Sequence, residues 1–257
     1  MDLELRGKRV LVTGGSKGIG LACAEAFAAE GCDVILSSRD AAALEKAAAG
    51  IRAKHNVGVT VHAADLSDAK AREALHAAHP EIDVLVNNAG AIPGGTLRDI
   101  SLARWEEAWR LKVFGYIHLT QLYLPAMEAR GAGVIVNIIG MAGRAARADY
   151  ICGAAGNAAL IAFTNALGAR SVDKGVRVVG INPAGTRTER YETLAKGRAK
   201  SRFGDESRWR ELLTNLPFGR PAEPEEIADL AVYLASARAS YMSGTVVDAD
   251  GGGQFRG

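Results

Sequence analysis

Cysteine, histidine and aromatic residues are all scarce in this sequence of 257 residues. The three cysteines, Cys23, Cys32 and Cys152, form no CxxC pair, so their spacing indicates neither a zinc site nor a redox pair. Their odd number predicts buried or free thiols in a reducing compartment. The five histidines are scattered without an accompanying carboxylate pattern, and we therefore expect no metal site.

Long apolar runs and an excess of one charge are also missing. No apolar run approaches the ~20 residues of a membrane span, and the opening MDLELRGKRV lacks the apolar segment of a secretion signal. The net charge is +2, with both signs mixed along the chain, which argues against nucleic acid as the main partner. We therefore expect a cytoplasmic protein that binds neither a membrane nor nucleic acid.

Short Val/Ile/Leu-rich runs alternate with longer helical patterns. Seven runs predict strands, at 9–14, 33–38, 59–65, 83–90, 133–139, 176–183 and 245–253. Helices are predicted over 18–30, from the N-cap Ser101 to about 130, and over roughly 153–172. Nearly continuous apolar strands indicate burial on both faces. The pattern predicts an α/β, doubly wound Rossmann fold, with a seven-stranded, mostly parallel sheet and helices on both faces, as one unit over 1–257.

The segment 187–220 interrupts this alternation. Between 187 and 210 it holds eight cationic residues against four acidic ones. It is either a solvated helical pair or a lid that attracts an anionic substrate, such as a carboxylate or a CoA- or carrier-linked acyl group. Phe203 and Trp209 could form the apolar underside of such a lid. Arg147 and Asp149, next to Tyr150, could line a substrate mouth or be solvated.

The stretch TGGSKGIG (13–20) joins the first strand to the first helix. Gly14 permits a tight turn, Gly18 lets the backbone approach a pyrophosphate, and Gly20 allows close packing of helix on strand. The free N–H groups and the positive dipole end of the helix suit phosphates. Because a strand precedes this loop and a helix follows it, we predict a dinucleotide site rather than a plain glycine-rich turn.

Four motifs together resemble the short-chain dehydrogenase/reductase family over essentially the whole chain: TGxxxGIG, NNAG (87–90), the NPxGxxT-like stretch 182–188 and the terminal SGTVVDADGG. The resemblance implies that NNAG supports the sheet on the cofactor side, that Asp65 and Leu66 flank the adenine, and that 183–188 holds the nicotinamide amide. It also implies a homotetramer, or at least a homo-oligomer such as a dimer. The predicted cofactor-binding residues are Gly14, Ser16, Lys17, Gly18, Ile19, Gly20, Ser38, Arg39, Asp65, Leu66, Asn88, Ala89, Gly90, Pro183, Thr186 and Thr188.

The end of the second strand predicts which dinucleotide is bound. An acidic residue there would accept the ribose hydroxyls of NAD and repel a 2′-phosphate. Ser38 occupies that position, Arg39 follows it, and Lys17 lies in the phosphate loop. Cations and hydroxyls suit the 2′-phosphate of NADP, although Asp40 comes next in the chain. We predict NADP(H) in preference to NAD(H).

The resemblance also implies an Asn–Ser–Tyr–Lys set in which tyrosine is the general acid/base and lysine holds the ribose. Tyr150 does not fit the expected YxxxK spacing, because position 154 is alanine. The stretch AALIAFTNALG (158–168) matches the helix that follows the family's lysine, and counting from it and from Trp105 fixes the register. The four family positions are then occupied by Lys112, Gly140, Gly153 and Asn157.

Lysine and asparagine have thus exchanged places, and a tyrosine stands three residues upstream of its usual position. In a rebuilt site, Tyr150 would be the proton donor, because Gly153 leaves room for it. Lys112 would supply the positive charge that stabilises the tyrosine's phenolate, and Asn157 would hold the ribose or a relay water. Nothing obvious replaces the serine at Gly140, and we expect Asn137 to point elsewhere. Alternatively, the tetrad is lost and Tyr150 is a loop or interface aromatic.

Three functions remain open. The first is an NADP(H)-dependent oxidoreductase that interconverts a carbonyl and an alcohol on a small or acyl-linked substrate. The second is a nucleotide-binding pseudoenzyme or scaffold subunit without redox chemistry. The third is a different reaction, such as that of a lyase or hydrolase, beside a retained or vestigial nucleotide site.

Overall fold

The structure, a computed structural model, describes residues 2–256. Its strands are β1 (Arg9–Thr13), β2 (Asp33–Ser38), β3 (Val59–Ala63), β4 (Val84–Asn87), β5 (Gly133–Ile138), β6 (Val176–Pro183) and β7 (Thr245–Ala249). Its helices are α1 (Gly18–Ala29), α2 (Ala41–Lys54), α3 (Ala69–Ala78), α4 (Leu102–Leu111), α5 (Val113–Arg130), α6 (Ile151–Ser171), α7 (Glu189–Phe203) and α8 (Pro224–Ala235). Short 3₁₀ turns lie between several of them.

The seven strands form one sheet in the order β3-β2-β1-β4-β5-β6-β7. Every pairing is parallel, which confirms the predicted doubly wound Rossmann fold. The chain builds outward from β1 first to one side and then, from β4 onward, to the other. At such a switch point the loops after β1 and β4 diverge and leave a crevice beyond the carboxyl ends of the strands, where ligands bind in folds of this type.

Alternate residues of each strand enter two separate cores, because successive side chains point to opposite faces of a sheet. Val10 and Val12 pack in the core beneath α1, α2 and α8. Leu11, between them, packs in the core beneath α3 and α5. The strands are therefore buried on both faces, as their continuous apolar runs predict. The three cysteines are buried with free thiols within the described chain.

The helix predicted from Ser101 to about 130 is in fact two helices. Its start is as expected, since the Ser101 hydroxyl accepts a hydrogen bond from the Arg104 backbone N–H at 3.3 Å. Its end at Arg130 is also as expected, with Gly131 in the left-handed conformation. The interruption falls at Lys112, which closes α4 and opens α5. The side chain of Lys112 reaches across to the carbonyl oxygen of Ile139, and this contact holds the junction against β5.

Helix α6 starts two residues earlier than predicted and is more apolar than the sequence analysis allowed. With the turn that follows it, Ile151–Lys174 is long and apolar enough to cross a membrane by length and composition alone. This corrects the expectation that no apolar run approaches that length. A helix that packs on a sheet passes the same test, and α6 lies on β6 and β7, with Leu160, Thr164 and Gly168 buried.

Gly168 is the point of closest approach between α6 and the strand edge. A Cβ there would lie 2.5 Å from the carbonyl oxygen of Val178. Neither the backbone of α6 nor that of β6 can move alone to make room for it. We expect Gly168→Ala to lower the free energy of unfolding by about 1–3 kcal/mol or more, because it overpacks the interface. Gly50→Ala is the matched control, since its Cβ would meet nothing within 4 Å.

For Gly50→Ala, in the interior of α2, we expect a gain of roughly 0.5–1 kcal/mol from helix propensity. Urea unfolding of both variants measures the difference. A Gly168→Ala protein as stable as the Gly50→Ala protein would contradict the packing described here.

Candidate active site

A cavity of about 680 Å³ opens beyond the carboxyl ends of β1, β2 and β4. It lies at the switch point of the sheet, where the topology leaves room for a ligand. Most of the predicted cofactor-binding residues line it. They are Gly14, Ser16, Lys17, Gly18, Ile19, Ser38, Arg39, Leu66, Asn88, Ala89, Gly90 and Thr188.

The glycine loop leaves the start of α1 open to this cavity. Gly14 and Gly18 have φ of 67° and 57°, a region that side chains disfavour. Within the described residues, no side chain caps α1, so the N–H groups of its first turn face the cavity with the positive end of the helix dipole. A Cβ at Gly20 would overlap the Gly14 carbonyl oxygen. Gly20 therefore has the close-packing role predicted for it and does not itself line the cavity.

Thr13 locks the ends of β1 and β4 together. Its hydroxyl accepts hydrogen bonds from the backbone N–H groups of Asn88 at 2.9 Å and Ala89 at 3.1 Å. The Asn88 side chain in turn donates to the Thr13 carbonyl oxygen at 2.9 Å. These bonds fix the phosphate loop against the NNAG segment. The sequence analysis did not single out Thr13, although its position at the end of β1 could have indicated it.

The far end of the cavity carries the groups predicted to select the dinucleotide. The Ser38 hydroxyl is buried and has no hydrogen-bond partner among residues 2–256. Arg39 has no carboxylate within 4 Å in the same range. The carboxylate of Asp40 is engaged as the cap of α2, accepting from the Ala43 backbone N–H at 3.0 Å. Lys17 forms an exposed ion pair with Glu189 at 2.6 Å.

Asp65 lies outside the cavity, unlike its neighbour Leu66. Its carboxylate accepts a hydrogen bond from the Ser67 backbone N–H at 3.0 Å and shapes the turn that precedes α3. Leu66 and Ala64 both line the cavity. They, rather than Asp65, are therefore placed to flank the adenine as the resemblance implies.

A second cavity of about 580 Å³ adjoins the first and shares Ile19, Asn88, Gly90, Thr188 and Arg190 with it. It brings together the three candidate catalytic residues, Lys112, Tyr150 and Asn157. Pro183 and Thr186 of the predicted cofactor-binding set also line it. Residues from five separate stretches of the chain thus meet at the point where a nucleotide bound in the first cavity would end.

The ring of Tyr150 occupies the space that a side chain at position 153 would fill. Tyr150 immediately precedes α6, and its ring folds back over the first turn of that helix. A Cβ on Gly153 would overlap Cε1 and Cζ of the ring and lie 2.6 Å from Cδ1. The absence of a side chain at Gly153 is therefore the condition that allows Tyr150 to face the cavity.

Lys112 is partly buried at the back of this cavity, and its ammonium group donates a hydrogen bond to the Ile139 carbonyl oxygen at 2.6 Å. Burial, and after it the positive charge of Arg190, lower the pKa of Lys112 to about 7. A lysine in such surroundings exchanges a proton near neutral pH.

Asn157 takes the place beside Gly140 that the family resemblance gives to lysine. Its amide nitrogen donates to the Gly140 carbonyl oxygen at 3.2 Å, while its Oδ1 is buried with no partner in the described part of the chain. Asn137 does not replace the missing serine, because its side chain is buried and hydrogen-bonded to Asn87 and Thr164. It points away from the cavity, as expected.

Arg190, which the sequence analysis treated only as one of the cations of 187–220, lies beside Tyr150. Its Nη2 lies 3.5 Å from the Tyr150 hydroxyl and also donates to the Ile92 carbonyl oxygen. No local motif marks this arginine. Its position beside Tyr150 is visible only because α7 lies across the mouth of the cavity.

The segment 187–220 consists of α7 and two 3₁₀ stretches, Glu206–Leu213 and Pro217–Gly219. Its cavity-facing residues are Arg187, Thr188, Glu189, Arg190, Tyr191, Leu194, Arg198, Asn215, Leu216 and Pro217. The suggestion that Phe203 and Trp209 form its underside is wrong. Arginine side chains cover both rings, Arg208 lying 4.4 Å from the centre of Phe203 and Arg210 4.7 Å from that of Trp209, and neither aromatic lines the cavity.

A parallel, doubly wound sheet with a glycine loop and an uncapped helix at its switch point defines a dinucleotide-binding protein. A sequence profile described as short chain dehydrogenase matches residues 8–199, and the chain belongs to this family.

Relatives match along nearly the whole length. The chain is 36% identical over 254 residues to a 2-keto-3-deoxy-L-fuconate dehydrogenase of Xanthomonas campestris pv. campestris, covering 98% of this chain and 81% of that protein. It is 35% identical to a galactitol 2-dehydrogenase (L-tagatose-forming) of Cereibacter sphaeroides, covering 97% and 96%. Among solved structures, L-sorbose reductase of Gluconobacter frateurii with NADPH and L-sorbose is 32% identical, covers 98% of both chains and has a TM-score of 0.89.

The buried lysine predicts a pH dependence of stability. The pKa of Lys112 is lower in the folded chain than its ordinary value of 10.5, so between pH 7 and 10.5 the unfolded chain binds more protons. Stability therefore rises with pH in this window, relative to a variant without the amine.

The quantity to compare is the free energy of unfolding of the wild type minus that of Lys112→Met. We expect it to increase by on the order of 1–2 kcal/mol when the pH is raised from 7 to 9. Urea unfolding of both proteins at the two pH values measures it. Parallel pH curves would show that Lys112 keeps an ordinary pKa in the folded state.

Proposed function

We propose that this chain is an NADP(H)-dependent oxidoreductase that interconverts a carbonyl and an alcohol, with Tyr150 as its proton donor and acceptor. The observation that carries the proposal is the position of the Tyr150 ring over Gly153, in a cavity that continues from the nucleotide-sized one. Membership of the family supports the reaction class, and the altered tetrad makes the proton donor specific to this chain.

The residues of the first cavity fit a dinucleotide. The diphosphate would lie against the backbone of 14–19 at the open start of α1, and the unpartnered Ser38 hydroxyl and Arg39 would bind the 2′-phosphate. Asp40 does not oppose this, because its carboxylate caps α2. Pro183, Thr186 and Thr188 would contact the nicotinamide end. When bound, the reduced cofactor supplies a hydride to the substrate carbonyl.

Protons are handled by the side chains of the second cavity. The Tyr150 hydroxyl would donate its proton to the substrate oxygen in reduction and take one back in oxidation. Arg190, at 3.5 Å, would stabilise the phenolate left behind, a task that the sequence analysis assigned to Lys112. Lys112 would pass a proton onward, and the free Oδ1 of Asn157 would accept from a ribose hydroxyl or a relay water.

The substrate is proposed from the relatives. The two dehydrogenases and the reductase named above carry names of sugar acids, polyols and ketoses, which favours a small polyhydroxylated carbonyl compound over a CoA- or carrier-linked acyl group. The segment 187–220 would act as a lid over this substrate, within a single unit spanning 1–257. Membership of the family and three buried free thiols support a cytoplasmic setting.

A homo-oligomer, either tetramer or dimer, is part of the proposal. The outward face of α6 consists of small residues, Ala155, Ala158, Ala159, Ala162 and Ala166, and Phe114 of α5 is 52% exposed. Flat faces of this kind permit close helix packing between copies.

Tyr150→Phe is the direct test of the proton donor. We expect kcat/KM for NADPH-dependent reduction to fall about 10²- to 10⁴-fold, the usual contribution of a general acid, with the affinity for NADPH unchanged in a fluorescence titration. Gly153→Ala should produce a similar loss, because the added Cβ displaces the ring. Tyr191→Phe, the other tyrosine lining this cavity, is the matched control and should change turnover by less than about twofold.

Full activity in Tyr150→Phe would exclude Tyr150 as the acid. A wild-type chain that binds NADPH but reduces none of a panel of ketoses, oxo acids and acyl compounds would favour the pseudoenzyme alternative. Absence of calorimetric heat with either coenzyme, oxidised or reduced, would leave only the architecture.

Arg39→Gln tests the choice of dinucleotide. We expect the Kd for NADPH to rise about tenfold or more, because a charge-assisted hydrogen bond to the 2′-phosphate is lost, while the Kd for NADH changes little. Lys46→Gln, which removes an exposed cation of the neighbouring α2, is the control. Equal weakening of both coenzymes, or tighter binding of NADH than of NADPH by the wild type, would contradict the NADP assignment.

A further inference from the structure

The substrate cavity has a large excess of positive charge. Its cationic residues are Lys112, Arg147, Arg190, Arg198 and Arg256. Asp250 is the one acidic residue among those that line it in the described chain, and its two oxygens are taken up by the backbone N–H groups of Gly252 and Gln254, each at 2.9 Å. An uncharged polyol gives no reason for such an imbalance.

Three of these cations are grouped around Tyr150. Arg147 makes two hydrogen bonds to the carboxylate of Asp149, at 3.0 and 2.9 Å, and Nε of Arg198 lies 3.4 Å from the same carboxylate. One carboxylate thus faces two guanidinium groups. Arg190 has no carboxylate within 4 Å in the described range. The three arginines therefore face only one carboxylate, that of Asp149, and two of their positive charges are not balanced.

Arg198 shares the carboxylate of Asp149 with Arg147. Its side chain is 34% exposed, burial lowers its pKa, and the neighbouring charge of Arg147 acts in the same direction. Two guanidinium groups held together in a partly desolvated place repel each other unless anions lie between them. Asp149 supplies one such anion, and the open side of the group faces the cavity.

We propose that Arg147, Arg190 and Arg198 form a subsite for a carboxylate of the substrate. The substrate class is then an oxo acid, or the corresponding hydroxy acid, in the reaction proposed above, on which this inference rests. Because Nη2 of Arg190 lies 3.5 Å from the Tyr150 hydroxyl, the carboxylate is close to the reacting carbon, within one or two bonds. Planar guanidinium groups match a carboxylate in pairs of hydrogen bonds, as Arg147 and Asp149 already do here.

Arg198 is the residue on which to test the subsite. Arg190 also lines the nucleotide cavity, so its replacement would affect coenzyme binding as well. Arg147 and Arg198 line the second cavity and not the nucleotide cavity. Arg147, however, also holds Asp149 through two hydrogen bonds. Lys200, on the same helix and exposed, provides a control that removes the same charge at a distance from the cavity.

The experiment uses pairs of carbonyl compounds that differ in one carbon, a carboxylate in one member and a hydroxymethyl group in the other: 2-keto-D-gluconate with D-fructose, and pyruvate with hydroxyacetone. We expect the wild type to prefer the acid by about 10- to 100-fold in kcat/KM in at least one pair, the range for hydrogen bonds to a charged group. Arg198→Gln should remove most of this preference by raising KM for the acid, with kcat and the neutral partner little changed. Lys200→Gln should keep it.

Calorimetry separates this inference from the redox assignment. The two acids are titrated onto protein saturated with NADP⁺, a complex that cannot reduce them, and binding heat is expected with the wild type and Lys200→Gln but not with Arg198→Gln. Heat that depends on Arg198, without any turnover, would leave the subsite standing and remove the proposed function. Reduction of the neutral compounds with no preference for either acid would overturn the subsite alone.

D-Fructose 6-phosphate is included as a third ligand in both assays. If it binds more tightly than either carboxylate, and loses that affinity in Arg198→Gln, the group is a phosphate site and the carboxylate proposal is overturned. If Arg198→Gln weakens acid and neutral compounds alike, the arginine shapes the lid rather than binding an anion, which also overturns it.

Discussion

The first turn of α6 cannot hold both a side chain at position 153 and the ring of Tyr150. The two would occupy the same space, so the glycine and the displaced tyrosine depend on each other. Once the ring lies there, its hydroxyl faces the cavity within 3.5 Å of Arg190, a residue of α7. The candidate proton chemistry therefore depends on this steric exclusion.

The family resemblance predicts that lysine and asparagine have exchanged places in the site, and the surroundings of each leave it incompletely satisfied. At position 112 the ammonium group lies in a partly buried place with a single carbonyl oxygen as its acceptor, and its pKa is lowered to about 7. At position 157 the amide satisfies Gly140 through its nitrogen and leaves its oxygen free. A buried acceptor without a donor is costly unless a ligand or water supplies one. The site is thus completed by what binds in it.

The nucleotide half of the site and the substrate half differ in how far they follow the family. The glycine loop, the Thr13–Asn88 lock and the NNAG segment form a conventional cradle, held by backbone geometry that few other residues could adopt. The substrate half is formed by side chains of α6 and α7 together with Lys112, Arg147 and Tyr150 from outside these helices, and its charge is strongly positive.

The sequence by itself determined the sheet, its doubly wound order and the phosphate loop, because buried strands and glycine-dependent turns follow local rules of periodicity and backbone conformation. Counting along the one chain also predicts which residues fill the four family positions, and that assignment stays a prediction. The sequence suggested that Gly153 leaves room for Tyr150, and the tertiary structure places the ring there. Only the tertiary structure decided that Lys112 interrupts the long helix, that Asp65 does not line the cavity, and that Arg190 and Arg198 line the cavity together with the tyrosine. Most of these facts depend on contacts between residues far apart in the chain, 27 positions for Lys112 and Ile139 and 40 for Arg190 and Tyr150, and no local pattern encodes the distance between two side chains that different elements bring together.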